Sequence, residues 1–105
     1  MSNFLSREVF CFLGKEEIHL KKRIAVISAI LENPERVQHE FNKIVSDYKS
    51  IIRGRMGVPF HEEDISVISI IVIGTLDEIN GFTGKLGNLH NCIVKTSISK
   101  KELEV

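Results

Sequence analysis

From Arg23 onward the chain alternates between two hydrophobic periods. Arg23 to Leu31, RIAVISAIL, is a short apolar run rich in β-branched side chains, with the length of a buried strand. Asn33-Pro34 stops it, asparagine suiting a helix N-cap and proline the first helical position. Beyond them Val37, Phe41, Ile44, Val45 and Tyr48 recur at helical spacing and lay one apolar stripe along a helix. In SIIRGRMGV, Gly54 and Gly57 disfavour a helix but are tolerated in a strand or bulge, and Pro59 is expected to end that strand. After the polar turn HEED comes ISVISIIVIG, Ile65 to Gly74, the most apolar strand of the chain. Thr75 then stands three residues before Glu78, the spacing of a reciprocal capping box, and Leu76, Ile79, Phe82 and Leu86 continue a second helix. CIVKTSI, Cys92 to Ile98, reads as a fourth strand before a charged tail.

The order β-α-β-β-α-β predicts an α+β, ferredoxin-like two-layer sandwich, with two helices on one face of a four-stranded antiparallel sheet. The first and third strands, the most apolar, are expected at the centre. The second and fourth carry Arg53, Arg55 and Lys95, as edge strands do. In such a sandwich one sheet face meets the helices and the other meets water, so strands should alternate apolar with polar. The third does not: Ile65, Val67, Ile71 and Ile73 share one face, Ile68, Ile70 and Val72 the other. Leaving three such side chains exposed forgoes about 1.5–3 kcal/mol each. A second copy of the chain is therefore expected over the open face, with Ile68, Ile70 and Val72 as the oligomer interface.

A length of 105 residues fits one domain, and 43% hydrophobic with 27% charged residues is ordinary for a soluble protein without a membrane span. Lys+Arg and Asp+Glu are equal at 14 each, so the overall positive field that draws a protein onto nucleic acid is missing. The two cysteines, Cys11 and Cys92, have no C-x-x-C spacing, which suits a reducing cytoplasm. Residues 1–22 read as an extension before a domain spanning 23–100, with 101–105 as the charged tail. In the extension VFCFL is shorter than a signal-peptide core and follows Arg7 and Glu8. Gly14-Lys15-Glu16-Glu17 is how a purine-rich ribosome-binding sequence translates, and Leu20 can be an alternative bacterial start. On that reading translation begins at Leu20.

RGRMGVPF, followed by ISVISIIVIGTLDEINGFTGKLGNL, resembles the family of small proteins named as regulators of the iron-only hydrogenase system. The likeness spans about Arg23 to Lys100 and is most specific at R-G-R-M-G-V-P and T-G-K-L-G-N-L. It implies an ACT-like fold, similar to the C-terminal domain of the nickel-responsive regulator, with effector sensing at subunit interfaces. It also implies a link to hydrogenase maturation or regulation. The nickel regulator reads DNA through a separate ribbon-helix-helix segment, and the 22 leading residues here are too few and too little basic for one. Any regulatory output is therefore expected through a protein partner rather than direct DNA contact.

Candidate sites follow from the residues. Arg53 and Arg55, two apart on a strand, are expected to project from one face. They fit either a clamp for a carboxylate or phosphate or the charged guard of an edge strand. Gly57 permits close backbone approach, Lys85 lies among Gly81, Gly84 and Gly87, and Thr75 opens a helix N-terminus that, with Arg53 or Arg55 from a neighbouring chain, would make a pocket for a small anion; these five are the expected effector-binding residues. His61, His90 and Cys92 are the available metal donors, but a metal centre usually needs four, and no closed ligand set is visible. No nucleophile–base arrangement or cofactor motif stands out, so the expectation is a regulatory domain, not an enzyme, with no cofactor.

Overall fold

The computed structural model describes residues 21–104. Five strands and two helices follow one another as β1 (Lys21–Glu32), α1 (Pro34–Asp47), a single 3-10 turn (Lys49–Ile51), β2 (Ile52–Phe60), β3 (Ile65–Gly74), α2 (Leu76–Gly87), β4 (Cys92–Ile98) and β5 (Leu103–Glu104). The sheet runs β2-β3-β1-β4, all antiparallel. The expected ferredoxin-like sandwich is present, with β1 and β3 at its centre. The readings made for residues 1–20 lie outside the described residues.

The strand β1 decides which face is inside. Ala25, Ile27, Ala29 and Leu31 are buried while the residues between them are exposed. They join Val37, Phe41 and Val45 of α1 and Ile79, Phe82 and Leu86 of α2 in one core. Each large side chain fully buried there stabilises the fold by about 1.5–3 kcal/mol. Small Ala25 and Ala29 stand in the same cluster as the broad rings of Phe41 and Phe82, a mixture of sizes that lets the two layers interdigitate.

Register then corrects the face expected to be open. Ile68, Ile70 and Val72 pair with Ala29, Ile27 and Ala25 and so lie under the helices, buried to 6%, 0% and 0% exposure. The face turned away from the helices carries Ile65, Val67, Ile71 and Ile73 instead. A strand oily on both sides cannot announce its own orientation; its neighbour β1, with alternating burial, fixes it.

Three further details differ from expectation. Asn33 occupies the N-cap of α1 but makes no side-chain cap bond; it adopts the left-handed conformation, φ 54°. Its amide donates to Asp64 O at 3.0 Å, tying the start of α1 to the β2–β3 turn. Pro59 does not end β2, which continues through Pro59 and Phe60 opposite Ser66 and Ile65. An edge strand tolerates proline because it can turn the missing donor toward solvent. The charged tail forms β5, which pairs with Lys21 and Lys22. Glu102 bridges the two arms, 3.3 Å from both Lys21 Nζ and Arg23 Nη2. The sheet therefore extends beyond the 23–100 limits on both sides.

The capping box of α2 is formed as expected. The Glu78 amide donates to Thr75 Oγ1 at 3.2 Å, and the Thr75 amide donates to Glu78 Oε1 at 2.9 Å. Gly74 makes room for it, because a Cβ there would stand 2.9 Å from Glu78 Oε1.

Candidate functional site

Being the edge strand, β2 is the place where the helical layer runs out. Beyond the bulge its helix-side positions are Arg55, Gly57 and Pro59, opposite Ile70, Ile68 and Ser66 of β3, whereas Ile52 before the bulge packs against the core. None of the three beyond the bulge offers a large aliphatic side chain to close the gap to α1. A groove of about 150 Å³ remains between α1 and β2, with Leu31, Phe41 and Ile68 as its apolar lining and Gln38, Asn42, Arg55 and Ser66 as its polar groups. Past Pro34, Gln38 and Ser66, which line both, lies a wider depression of about 350 Å³ reaching Phe60, His61 and Asp64.

The principal charge in the narrow groove is Arg55. Its Nη2 donates to Asn42 Oδ1 at 2.9 Å, and its guanidinium carbon lies 5.8 Å from the centre of the Phe41 ring. Among the described residues one hydrogen bond and a ring face hold the fork and leave its other N–H donors uncommitted. Among the described residues no carboxylate lies within ion-pair distance of it. Gly57, two residues along on the same face, keeps the groove open. A Cβ there would make only ordinary contacts, 3.6 Å to Ile68 Cγ1 and 3.8 Å to Val67 O, so neither packing nor backbone conformation demands glycine.

Only Arg55 and Gly57 of the five expected effector residues meet in this groove. A β-bulge between Ile52 and Gly54 breaks the alternation on which a shared face for Arg53 and Arg55 was expected, and Arg53 is exposed outside the groove lining. Thr75 stands at the far end of β3, and its helix terminus is already served by Glu78, with Asp77 beside it. Two carboxylates in that first turn repel a further anion. Lys85, in the last turn of α2, sits 5.4 Å from the centre of the Tyr48 ring, which itself stacks on Phe82 at 4.7 Å. Gly81 has a packing reason, since a Cβ there would stand 3.0 Å from the Tyr48 hydroxyl.

His61, His90 and Cys92 all lie at one end of the sheet, but the end of β1 separates them. Asn33 bonds to the His61 turn through Asp64 O, and Glu32 bonds to the loop before Cys92 through Asn91 O. No three His, Cys, Asp or Glu side chains come together as a metal site among the described residues. Partial burial pushes the Cys92 thiol above its ordinary value, which disfavours the nucleophilic thiolate.

Gln38, Asn42 and Ser66 escaped the sequence reading. Asn42 follows Phe41 on the border of the apolar stripe of α1, but nothing in the sequence says which flank of that helix borders the arginine strand. No helix among the described residues is long and apolar enough to cross a membrane.

Comparison with known proteins adds a family and a structure. The family described as "TM1266-like: Iron-only hydrogenase system regulator, putative" matches residues 23–96. The solved structure of the uncharacterized protein TM1266 from Thermotoga maritima is similar, with a TM-score of 0.72 and 28% sequence identity, covering 75% of this chain and 99% of that one. No curated protein matches.

Proposed function

Because the chain belongs to the TM1266-like family of iron-only hydrogenase system regulators, we propose that it is a non-catalytic, cytoplasmic regulatory domain that senses a small anion in the groove between α1 and β2. The observation that carries this reading is Arg55: a cation held by Asn42 and the Phe41 ring, facing a groove, with no carboxylate among the described residues to neutralise it. A planar fork with free donors recognises a carboxylate or a phosphate through parallel charge-assisted hydrogen bonds. The apolar lining suits a compact organic body attached to that anion. Output passes to a protein partner of the hydrogenase system, in keeping with the balanced charge of the chain.

A metal-responsive sensor is the second reading, and the separation of His61 from His90 and Cys92 weighs against it. A hydrolytic role for the wider depression gains no support from His61, Asp64 and Ser66, whose side chains share no hydrogen bond.

Thermal unfolding with inorganic phosphate, citrate and a series of small monocarboxylates tests the proposal, since a ligand bound only by the folded state raises the midpoint. Anions also stabilise proteins by exclusion, so the reading rests on the difference between wild type and Arg55→Ala. A midpoint rise in wild type that Arg55→Ala loses is expected. An equal rise in both, or a rise produced by nickel alone, overturns it.

A further inference from the structure

The sheet face turned away from the helices is apolar in register. Read across the strands, Val58, Val67, Ile30 and Ile93 form one row spanning β2, β3, β1 and β4. Val58, Ile30 and Ile93 in it are 45%, 37% and 49% exposed. On the two central strands Ile71 stands beside Val26, and Ile73 beside Ile24. Between these and the apolar row, Ser69 stands beside Ser28. Val26 and Ile71 are 42% and 44% exposed, well beyond the scattered single apolar side chains of an ordinary surface.

We infer that a second copy of this chain covers the face, related to the first by a two-fold axis that runs parallel to the strands between β3 and β1. Such an axis returns every row to its own level and lays β3 on the partner's β1. Val67 then meets the partner's Ile30, Ile71 the partner's Val26, and Ile73 the partner's Ile24, while serine meets serine and, on the outer strands of that row, Met56 meets the aliphatic stem of the partner's Lys95, whose ammonium reaches solvent at the rim. The row spanning all four strands folds onto itself, Val58 against the partner's Ile93. A two-fold axis running across the strands through Ser28 would instead set Ile24 against the partner's Glu32, a carboxylate against a hydrocarbon. The pattern of rows therefore selects the first axis.

Size agrees. Four strands about 4.8 Å apart, and about eight residues of strand at about 3.3 Å each, give a face of about 500 Å². Two such faces bury about 1,000 Å², the lower bound of a specific interface. Sheets stacked in this way lie about 10 Å apart with their strands rotated by about 30°. The Arg55 groove opens on the helix side of β2, so pairing leaves it accessible in both copies, and this inference does not depend on the proposed effector.

Sedimentation equilibrium of the full chain tests it. The expected mass is twice the 11.9 kDa of one chain. Ile30→Lys is expected to weaken pairing at least about 100-fold, because it buries an unpaired charge against the partner's Val67 in the row that spans all four strands. Far-UV circular dichroism separates that from unfolding, and if Ile30→Lys does not fold, Ile93→Lys on the edge strand gives the same readout. A wild-type chain that stays at single-chain mass at high micromolar concentration overturns the inference. So does a dimer that both folded lysine variants retain.

Discussion

Arg55 on the edge strand donates to Asn42 on α1 at 2.9 Å, a bond between residues 13 apart in sequence that spans the open flank of the sandwich. It makes the guanidinium a fixed feature of the groove wall rather than a loose surface cation. Asn42→Asp is the sharpest probe of that role. The new carboxylate takes Arg55 as an ion pair of nearly the same shape, and because both groups are exposed, folding stability changes by no more than about 1 kcal/mol. The anion-induced rise in unfolding midpoint is expected to vanish, since the cation is now neutralised. Urea unfolding with and without phosphate checks both halves, and a phosphate effect that survives in Asn42→Asp removes the groove as its seat.

Gly57 separates structural from functional need. Its Cβ would sit 3.6 Å from Ile68 Cγ1, an ordinary distance, and glycine within a strand costs about 0.5–1 kcal/mol relative to alanine. Gly57→Ala is therefore expected to raise stability by about that amount, while the larger Gly57→Val fills the groove and abolishes anion binding. Chemical denaturation and ligand titration on the two variants measure these opposite signs. If Gly57→Val binds as wild type does, the ligand does not enter beside Ile68.

Two glycines of α2 divide in the same way. A Cβ at Gly84 meets nothing within 4 Å, so Gly84→Ala should stabilise by about 1 kcal/mol, the helix-propensity difference. A Cβ at Gly81 would press on the Tyr48 hydroxyl at 3.0 Å and disturb the ring stacked on Phe82. Gly81→Ala should consequently gain less than Gly84→Ala, or lose stability outright. Paired urea melts decide it; equal gains would mean that Tyr48 moves aside freely.

Where one residue type carried one physical demand, the sequence was legible. The Thr75/Glu78 spacing forecast a reciprocal cap that the structure forms, and the strand limits at Ile65–Gly74 and Cys92–Ile98 followed from where the apolar runs begin and stop. The inside face of β3 was not legible, because alternation carries no information when both faces are apolar; only pairing with Ala25, Ile27 and Ala29 resolves it. Arg55 and Gly57 could be singled out as a cation and a gap. Their partners Gln38 and Asn42 could not, since the flank of α1 that meets β2 is a property of packing between distant segments. The bulge at Arg53 and the β5 pairing were hidden for the same reason: each depends on a neighbour in space, not in sequence.

Acid should loosen the β5 arm first. Hydrogen bonds from Lys21 and then Arg23 hold the Glu102 carboxyl below its ordinary value. A carboxyl depressed in the folded state contributes stability in full above its unfolded value and loses it as pH falls through the folded one. The contribution is therefore flat through neutral pH and disappears only in acid, below the ordinary carboxylate range. Because Glu102 is exposed to solvent, its loss releases β5 from Lys21–Lys22 without unfolding the core. Glu102→Gln should show at neutral pH the reduced amide protection at Leu103, measured against the intrinsic exchange rate, that wild type shows only in acid, and the two proteins should converge as pH falls. A Leu103 exchange rate that Glu102→Gln leaves unchanged at neutral pH would mean that the strand pairing, not the ion pairs, holds the arm.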